Sequence, residues 1–220
     1  MKSDYYILPY KGDIQKPMFS SSLKELLNPP QHEGPVSIQL LQPHHSESLL
    51  EYKTTNRDFL QPFSPKFQDE HFTLQFQHQI IQSALREAVA DQAYRFGVFL
   101  QTDGQWIGQI NLTGVIRGPF QNALLGYSID YRYKGLGYMS EAVRLCMHLA
   151  FNQLQLHRVQ AAVMPHNIGS IRVLQKNRFT EEGYARNYLR INGKWEDHLL
   201  FALLQETYDD PICIKDIGAR

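Results

Sequence analysis

The feature that most constrains this chain is a glycine turn, Arg132-Tyr-Lys-Gly135-Leu-Gly137. A strand-like run, Leu124 to Asp130, precedes it, and a helix-like run, Met139 to Leu154, follows. Strand, glycine turn and helix N-terminus in that order build an anion site. Glycines let the backbone come close to a ligand and turn successive N–H groups inward. The helix dipole adds partial positive charge at the same spot, and Arg132 is expected to add a full one. The natural guest is a phosphate or pyrophosphate. Taken alone, the pattern also fits a plain helix start after a glycine turn. A P-loop is excluded, because Gly-Lys-Ser/Thr is absent. A dinucleotide loop is excluded too: Ser140 stands where a third glycine belongs, and His157 where an acid belongs.

The second half of the chain narrows the choice. A strand, Arg158 to Met164, leads into Pro165-His166-Asn167-Ile-Gly-Ser170 and a short helix ending near Lys176-Asn177-Arg178-Phe179. Arg-x-x-Gly-x-Gly followed by strand, Asn-x-x-Ser and helix resembles the GNAT acetyltransferases. Leu125-Gly-Tyr-Ser-Ile129, Met164-Pro-His-Asn167, Glu182-Gly-Tyr184, Trp195-x-Asp197-His198 and Asn56-Arg-Asp-Phe-Leu60 are similar to the bacterial ribosomal-protein-alanine N-acetyltransferases of the Rim type. The resemblance spans about residues 36 to 205. It implies acetyl-CoA as co-substrate, held by Ser128 and Ile129 on the strand, by Arg132, Lys134, Gly135, Leu136, Gly137 and Tyr138 at the turn, and by Asn167 and Ser170. It implies an acceptor slot lined by Asn56, Phe59, Tyr184 and Tyr188.

At 220 residues with zero formal net charge, the chain is long enough for one domain with a sizeable core. No global field draws it to nucleic acid or to anionic membrane. Cys146 and Cys213 fit no metal or disulfide spacing, and Cys146 lies on the apolar face of a helix. That usage reads as a reducing compartment. With no N-terminal signal pattern and no apolar run near 18 residues, the expectation is a cytoplasmic protein, monomer or homodimer, without metal. His44-His45 lacks a Cys or acidic partner at ligand spacing and reads as a solvated helix start.

The expected organisation is an irregular extension over 1–35 with a short helix around Ser22 to Leu27, a domain over 36–205, and a tail over 206–220. Within the domain the patterning predicts a strand at Val36 to Leu41, a helix at His44 to Thr55, and an aromatic loop through Phe59 and Phe63. One long helix, or two, should cover Gln68 to Ala93. Strands then follow at Arg95 to Leu100, Trp106 to Val115 and Ala123 to Asp130, with a β-bulge expected at Tyr127 to Ile129. After the helix at Met139 come a strand, a helix and two closing strands, Glu182 to Ile191 and Trp195 to Leu204. The order β-α-α-β-β-β-α-β-α-β-β predicts an α/β fold of GNAT type. Its mixed, largely antiparallel sheet would carry helices on both faces, with central strands splayed at the cofactor.

Acetyl transfer to an amine needs an anchored CoA, a polarised thioester carbonyl, a deprotonated amine and an acid for the leaving thiolate. Direct attack in a ternary complex suffices, so no cysteine nucleophile is required. A backbone N–H near Ile129 would hold the carbonyl oxygen. Asn167 is an N-cap for the following helix, and Ser170 either completes that cap or protonates the thiolate. Asp197 is the first candidate for a water-relayed base, ahead of Glu141 and His166; Glu141 otherwise serves the helix dipole. His198 alternates with Asp197 along the strand, so one of the two faces the cleft. Tyr184 and Tyr188 are expected on one strand face. Three readings of function stand: acetylation of the N-terminal alanine of a ribosomal or similar protein, acetylation of a small amine (polyamine, amino acid or aminoglycoside), or a non-catalytic acyl-CoA-binding module.

Overall fold

The computed structural model describes residues 34–208. The expectations for the stretch before Gly34, for the tail beyond Tyr208 and for Cys213 lie outside the described residues.

Seven strands form one open sheet in the order β1-β2-β3-β4-β5-β7-β6. They are β1 (Val36–Leu40), β2 (Tyr94–Leu100), β3 (Trp106–Ile116), β4 (Asn122–Ile129), β5 (Arg158–Val163), β6 (Thr180–Ile191) and β7 (Lys194–Leu204). Every pairing is antiparallel except β4 with β5. The helices are α1 (Ser46–Thr55), the one-turn α2 (Arg57–Leu60), α3 (Leu74–Val89), α4 (Tyr138–His148) and α5 (Ile168–Lys176).

Alternation along the strands supplies two cores, one on each sheet face. On one face Met139, Ala142, Val143 and Cys146 of α4 pack on Ile38, Phe96, Val98, Ile110 and Leu112. On the other, Leu49 and Tyr52 of α1 and Ile81 and Ala84 of α3 close over Phe99 and Trp106. Of the one long helix, or two, expected over Gln68 to Ala93, the α-helical part is Leu74–Val89. A 3-10 turn covers Asp69–Phe72, and Thr73 then caps α3 by accepting the Phe76 N–H at 3.3 Å. A hydroxyl that satisfies one of the orphan first-turn amides is a sufficient reason for the restart. The helix expected to run to Leu154 leaves α geometry at Leu149, where a π-turn takes over to Gln153.

The splay is visible in the register. Parallel pairing joins Asn122–Leu124 to Arg158–Gln160 and then stops. Beyond it β4 stays with β3, and β5 stays with β7. The bulge expected at Tyr127 to Ile129 is not there: the β3 register runs unshifted from Thr113↔Leu124 to Gly108↔Ile129. The irregularity lies further down, where Gly114 and Val115 together face Ala123 and Gly114 has φ +58°. The extra residue sits where glycine can take the left-handed conformation. The free edge of β4 therefore comes from the splay itself.

Candidate active site

Asp130 fixes which backbone groups line the gap. Its N–H donates to the Ile107 carbonyl on β3 at 2.8 Å. Antiparallel alternation then directs the N–H and C=O of Leu125, Tyr127 and Ile129 away from β3, into the splay. Ser128 is different. Its backbone belongs to the β3 ladder opposite Gln109, and its hydroxyl accepts the Tyr52 O–H of α1 at 2.9 Å. The cofactor role expected of Ser128 is thus not supported by its placement on the α1 face.

The glycine turn has the geometry of an anion site. Gly135 and Gly137 have φ +81° and +88°, and a Cβ at either would meet nothing within 4 Å. Gly137 is the N-cap of α4 and offers no side-chain cap, so the first-turn amides face outward uncapped. Leu136, 61 % exposed, Lys134 and Tyr138 flank them. The Lys134 ammonium rests 5.7 Å from the Phe59 ring centroid. An open hollow of about 410 Å³ adjoins the turn, lined by Gly137, Ser140, Arg144 and Lys176 among others.

Arg132 does not supply the free charge expected of it. Its guanidinium binds Asp130 through Nε at 3.0 Å and Nη2 at 2.7 Å. Burial alone would raise the Asp130 pKa, but hydrogen bonds from Arg132 and Asn56 outweigh it and hold the carboxyl below its usual range. Asn56, expected in the acceptor slot, is fully buried and belongs to this same cluster. Positive potential at the turn therefore comes from the α4 dipole, with Lys176 and Lys134 around it. Glu141, a candidate base, is ion-paired with Arg144 one turn along α4.

Across the gap, Asn167 caps α5 by accepting the Ser170 N–H at 3.2 Å. The Ser170 hydroxyl lies 2.8 Å from the Tyr127 phenol, which also reaches the Ser170 carbonyl at 3.0 Å. Burial pushes the Tyr127 phenol above its ordinary pKa, with the Ser170 hydrogen bond acting the other way. No sequence motif marks Tyr127 as a catalytic-site residue. Its alternation with buried Leu125 placed it on the α5 face, but its partner is 43 residues away. The left-handed residue at the end of α5 is Arg178, φ +61°. Asn177 keeps φ −92° because its side chain is engaged, donating to Val173 O at 2.9 Å and Ser140 O at 3.1 Å.

Asp197 occupies a structural position. Between Ala185↔His198 and Leu189↔Glu196, three β6 residues bulge opposite it, with Asn187 at φ +48°. Its carboxylate accepts the Asn187 N–H at 2.7 Å and the Tyr184 O–H. The Tyr184 hydrogen bond is the first cause that holds its pKa below the usual carboxylate range. That makes it a weak base committed to a backbone bulge. The bulge also separates the two tyrosines expected on one face: Tyr184 bonds Asp197, whereas Tyr188 lies against His198, ring centroids 5.7 Å apart. His198 is buried and its Nδ1 meets Glu196 O at 3.0 Å. At the mouth of the splay, His166 faces Phe63 at 6.0 Å, and the β6–β7 turn is tied to that loop by Asn192 N–H to Ser64 O at 2.8 Å.

Residues 36–180 match the acetyltransferase (GNAT) domain family. The chain belongs to that family. It is an N-acetyltransferase with acetyl-CoA as donor, and the splay, the uncapped α4 start and the open glycines fit that donor. Over 169 residues it is 41 % identical to a probable N-acetyltransferase of Bacillus subtilis, covering 77 % of this chain and 93 % of the relative. It is 35 % identical to the Escherichia coli [ribosomal protein uS5]-alanine N-acetyltransferase over 76 % of this chain and 86 % of that one. Among solved structures, the ribosomal-protein-S5-alanine acetyltransferase of Vibrio fischeri superposes with TM-score 0.77 at 30 % identity, covering 81 % and 98 % of the two chains. Mycobacterium smegmatis RimJ in complex with CoA-disulfide superposes with TM-score 0.75 at 27 % identity, covering 79 % and 87 %. Among the described residues no helix is long and apolar enough to cross a membrane, and no group of three His, Cys, Asp or Glu is placed to hold a metal.

Proposed function

We propose that this enzyme acetylates the α-amine of a protein N-terminus, an alanine-initiated ribosomal protein being the acceptor class. The observation that carries the proposal is the free β4 edge, Leu125 to Ile129, facing the Asn167–Ser170 cap across a gap that opens beside the Phe63 loop. The likeness to enzymes named for ribosomal-protein alanine supports the acceptor class.

Bound acetyl-CoA supplies the activated acetyl group. In this reading the amides of Gly137 to Ser140 take the pyrophosphate, where uncapped N–H groups and the helix dipole both favour anions. The Ile129 N–H, directed into the gap, is the donor for the carbonyl oxygen. Ser170 Oγ gives its proton to the departing sulfur and regains one from solvent, and Tyr127 holds that hydroxyl in place. The acceptor needs little help: an α-amine has a pKa near 8, so about a tenth is neutral at pH 7. With Asp197 and Glu141 engaged elsewhere, His166, beside Phe63, is the candidate left to receive a proton through water.

The test is an acceptor panel of peptides beginning Ala, Ser or Met, beside spermidine and an aminoglycoside, read by release of free thiol. The expected result is a kcat/KM for the Ala peptide at least about 10-fold above every small amine. A small amine that outcompetes all the peptides refutes the proposed acceptor. Acetyl-CoA binding without turnover on any acceptor favours the non-catalytic reading.

A further inference from the structure

The cluster under the glycine turn contains a residue that contacts neither expected ligand yet reaches the turn by both ends of its side chain. Asn56 lies at the junction of α1 and α2 and is fully buried. Its Nδ2 donates to Asp130 Oδ2 at 3.1 Å and to Tyr52 O at 3.0 Å, and its Oδ1 accepts the Tyr131 N–H at 2.9 Å. Asp130, 1 % exposed, caps the 3-10 turn Tyr131–Tyr133 by accepting the Arg132 N–H at 2.9 Å. That turn runs directly into Gly135 and Gly137. The start of the loop is thus tied to the opposite face of the sheet through one amide.

We propose that Asn56 is a positioning residue for acetyl-CoA: by bridging the Asp130 carboxylate and the Tyr131 amide it sets the turn that presents the α4 N-terminus to the cofactor. This rests on the reading that the phosphates sit at Gly135–Gly137. The physical requirement is specific. Position 56 must donate to a buried carboxylate and accept from a backbone N–H two atoms away in the same side chain. An amide does both. A carboxylic acid in its protonated form does both with nearly the same shape. A carboxylate accepts only, and would face Asp130 with like charge. The charged and titratable groups around the position are Asp130 and Arg132 on the turn and Tyr52 on α1; Arg132 is already bidentate to Asp130.

Asn56→Asp therefore carries a distinctive expectation. Its CoA affinity, measured by calorimetry and divided by that of the parent at the same pH, should fall about 10-fold or more near pH 8.5. It should return to within about threefold near pH 5.5, where the new carboxyl can hold a proton against its like-charged neighbour. Asn56→Ser, which cannot bridge both partners, should lose affinity by about 5-fold or more at both pH values. At saturating acetyl-CoA, kcat of either variant should stay within about threefold of the parent, so the loss falls on KM. A general packing defect gives no acid recovery. If the parent itself binds no CoA, the site reading fails first. If the parent binds and Asn56→Asp matches it near pH 8.5, or stays weak near pH 5.5 while folded, the inference is overturned. Should Asn56→Asp unfold at alkaline pH, Asn56→Ser decides, and parental CoA affinity in that variant overturns the inference.

Discussion

Replacing Gly137 with glutamate separates anchoring of the cofactor from folding. Gly137 has φ +88°, and a Cβ there meets open space within 4 Å. The cost to folding is therefore backbone strain without a clash, about 1–2 kcal/mol for an L-residue in the left-handed region. A carboxylate at the start of α4 returns about 0.3–1 kcal/mol through the helix dipole. Gly137→Glu should thus be destabilised by about 0–2 kcal/mol, and Gly137→Ala by about 1–2 kcal/mol with no charge. Binding responds differently. A unit charge about 8 Å from another, at an effective dielectric constant near 20, costs about 2 kcal/mol, or roughly 30-fold in affinity. The turn is exposed, so salt weakens the repulsion. The expected result is a CoA Kd raised by at least about 10-fold in Gly137→Glu at low ionic strength, recovering in part near 0.5 M salt. Gly137→Ala should bind within about threefold of the parent. Calorimetry gives affinity, and urea unfolding gives stability. Parental CoA affinity in a folded Gly137→Glu protein would refute the placement of the phosphates at this turn, and with it the reading of the whole central motif.

Three further outcomes are expected. Ser170→Ala should lower kcat about 10- to 100-fold at saturating acetyl-CoA, and Tyr127→Phe less, since it removes the support and leaves the donor; an unchanged kcat in Ser170→Ala returns that hydroxyl to capping alone. Asp197→Asn should change kcat by less than about threefold, because the carboxylate holds the β6 bulge rather than the acceptor proton; a loss beyond about 100-fold makes Asp197 the base after all. His45 is buried against Phe99 and Trp106, and burial, then the neighbouring His44, lowers its pKa to about 4. The unfolded chain then binds the extra proton first. This contribution to stability is present above about pH 6.5 and is lost as pH falls through about 4, by at most about 3 kcal/mol. His45→Asn keeps an acceptor for the Gln42 N–H and should flatten that slope in pH-dependent urea unfolding; an unaltered slope excludes His45 as its source.

The sequence by itself determined the parts of this protein that depend on local chemistry. Gly135 and Gly137 between strand and helix, Asn167 three residues before Ser170, and the 3.6-residue stripe of Met139, Ala142, Val143 and Cys146 all act within a few residues, so spacing alone exposes them. Tertiary structure decided the roles of polar side chains whose partners are distant in the chain. Arg132 has its partner, Asp130, only two residues away, but the burial of that carboxylate under Asn56, 74 residues from it, is set by the fold. Asp197 looked like a base until the β6 bulge opposite it required an acceptor for the Asn187 amide. The β4 register runs unshifted through Tyr127 to Ile129, and the end of its pairing with β5 at Leu124 is what frees that edge. A charged or polar group is defined by what satisfies it, and burial makes that satisfaction obligatory. Periodicity shows which residues face the core, but which of them meet across the sheet is set by register and strand order, quantities carried by the whole fold.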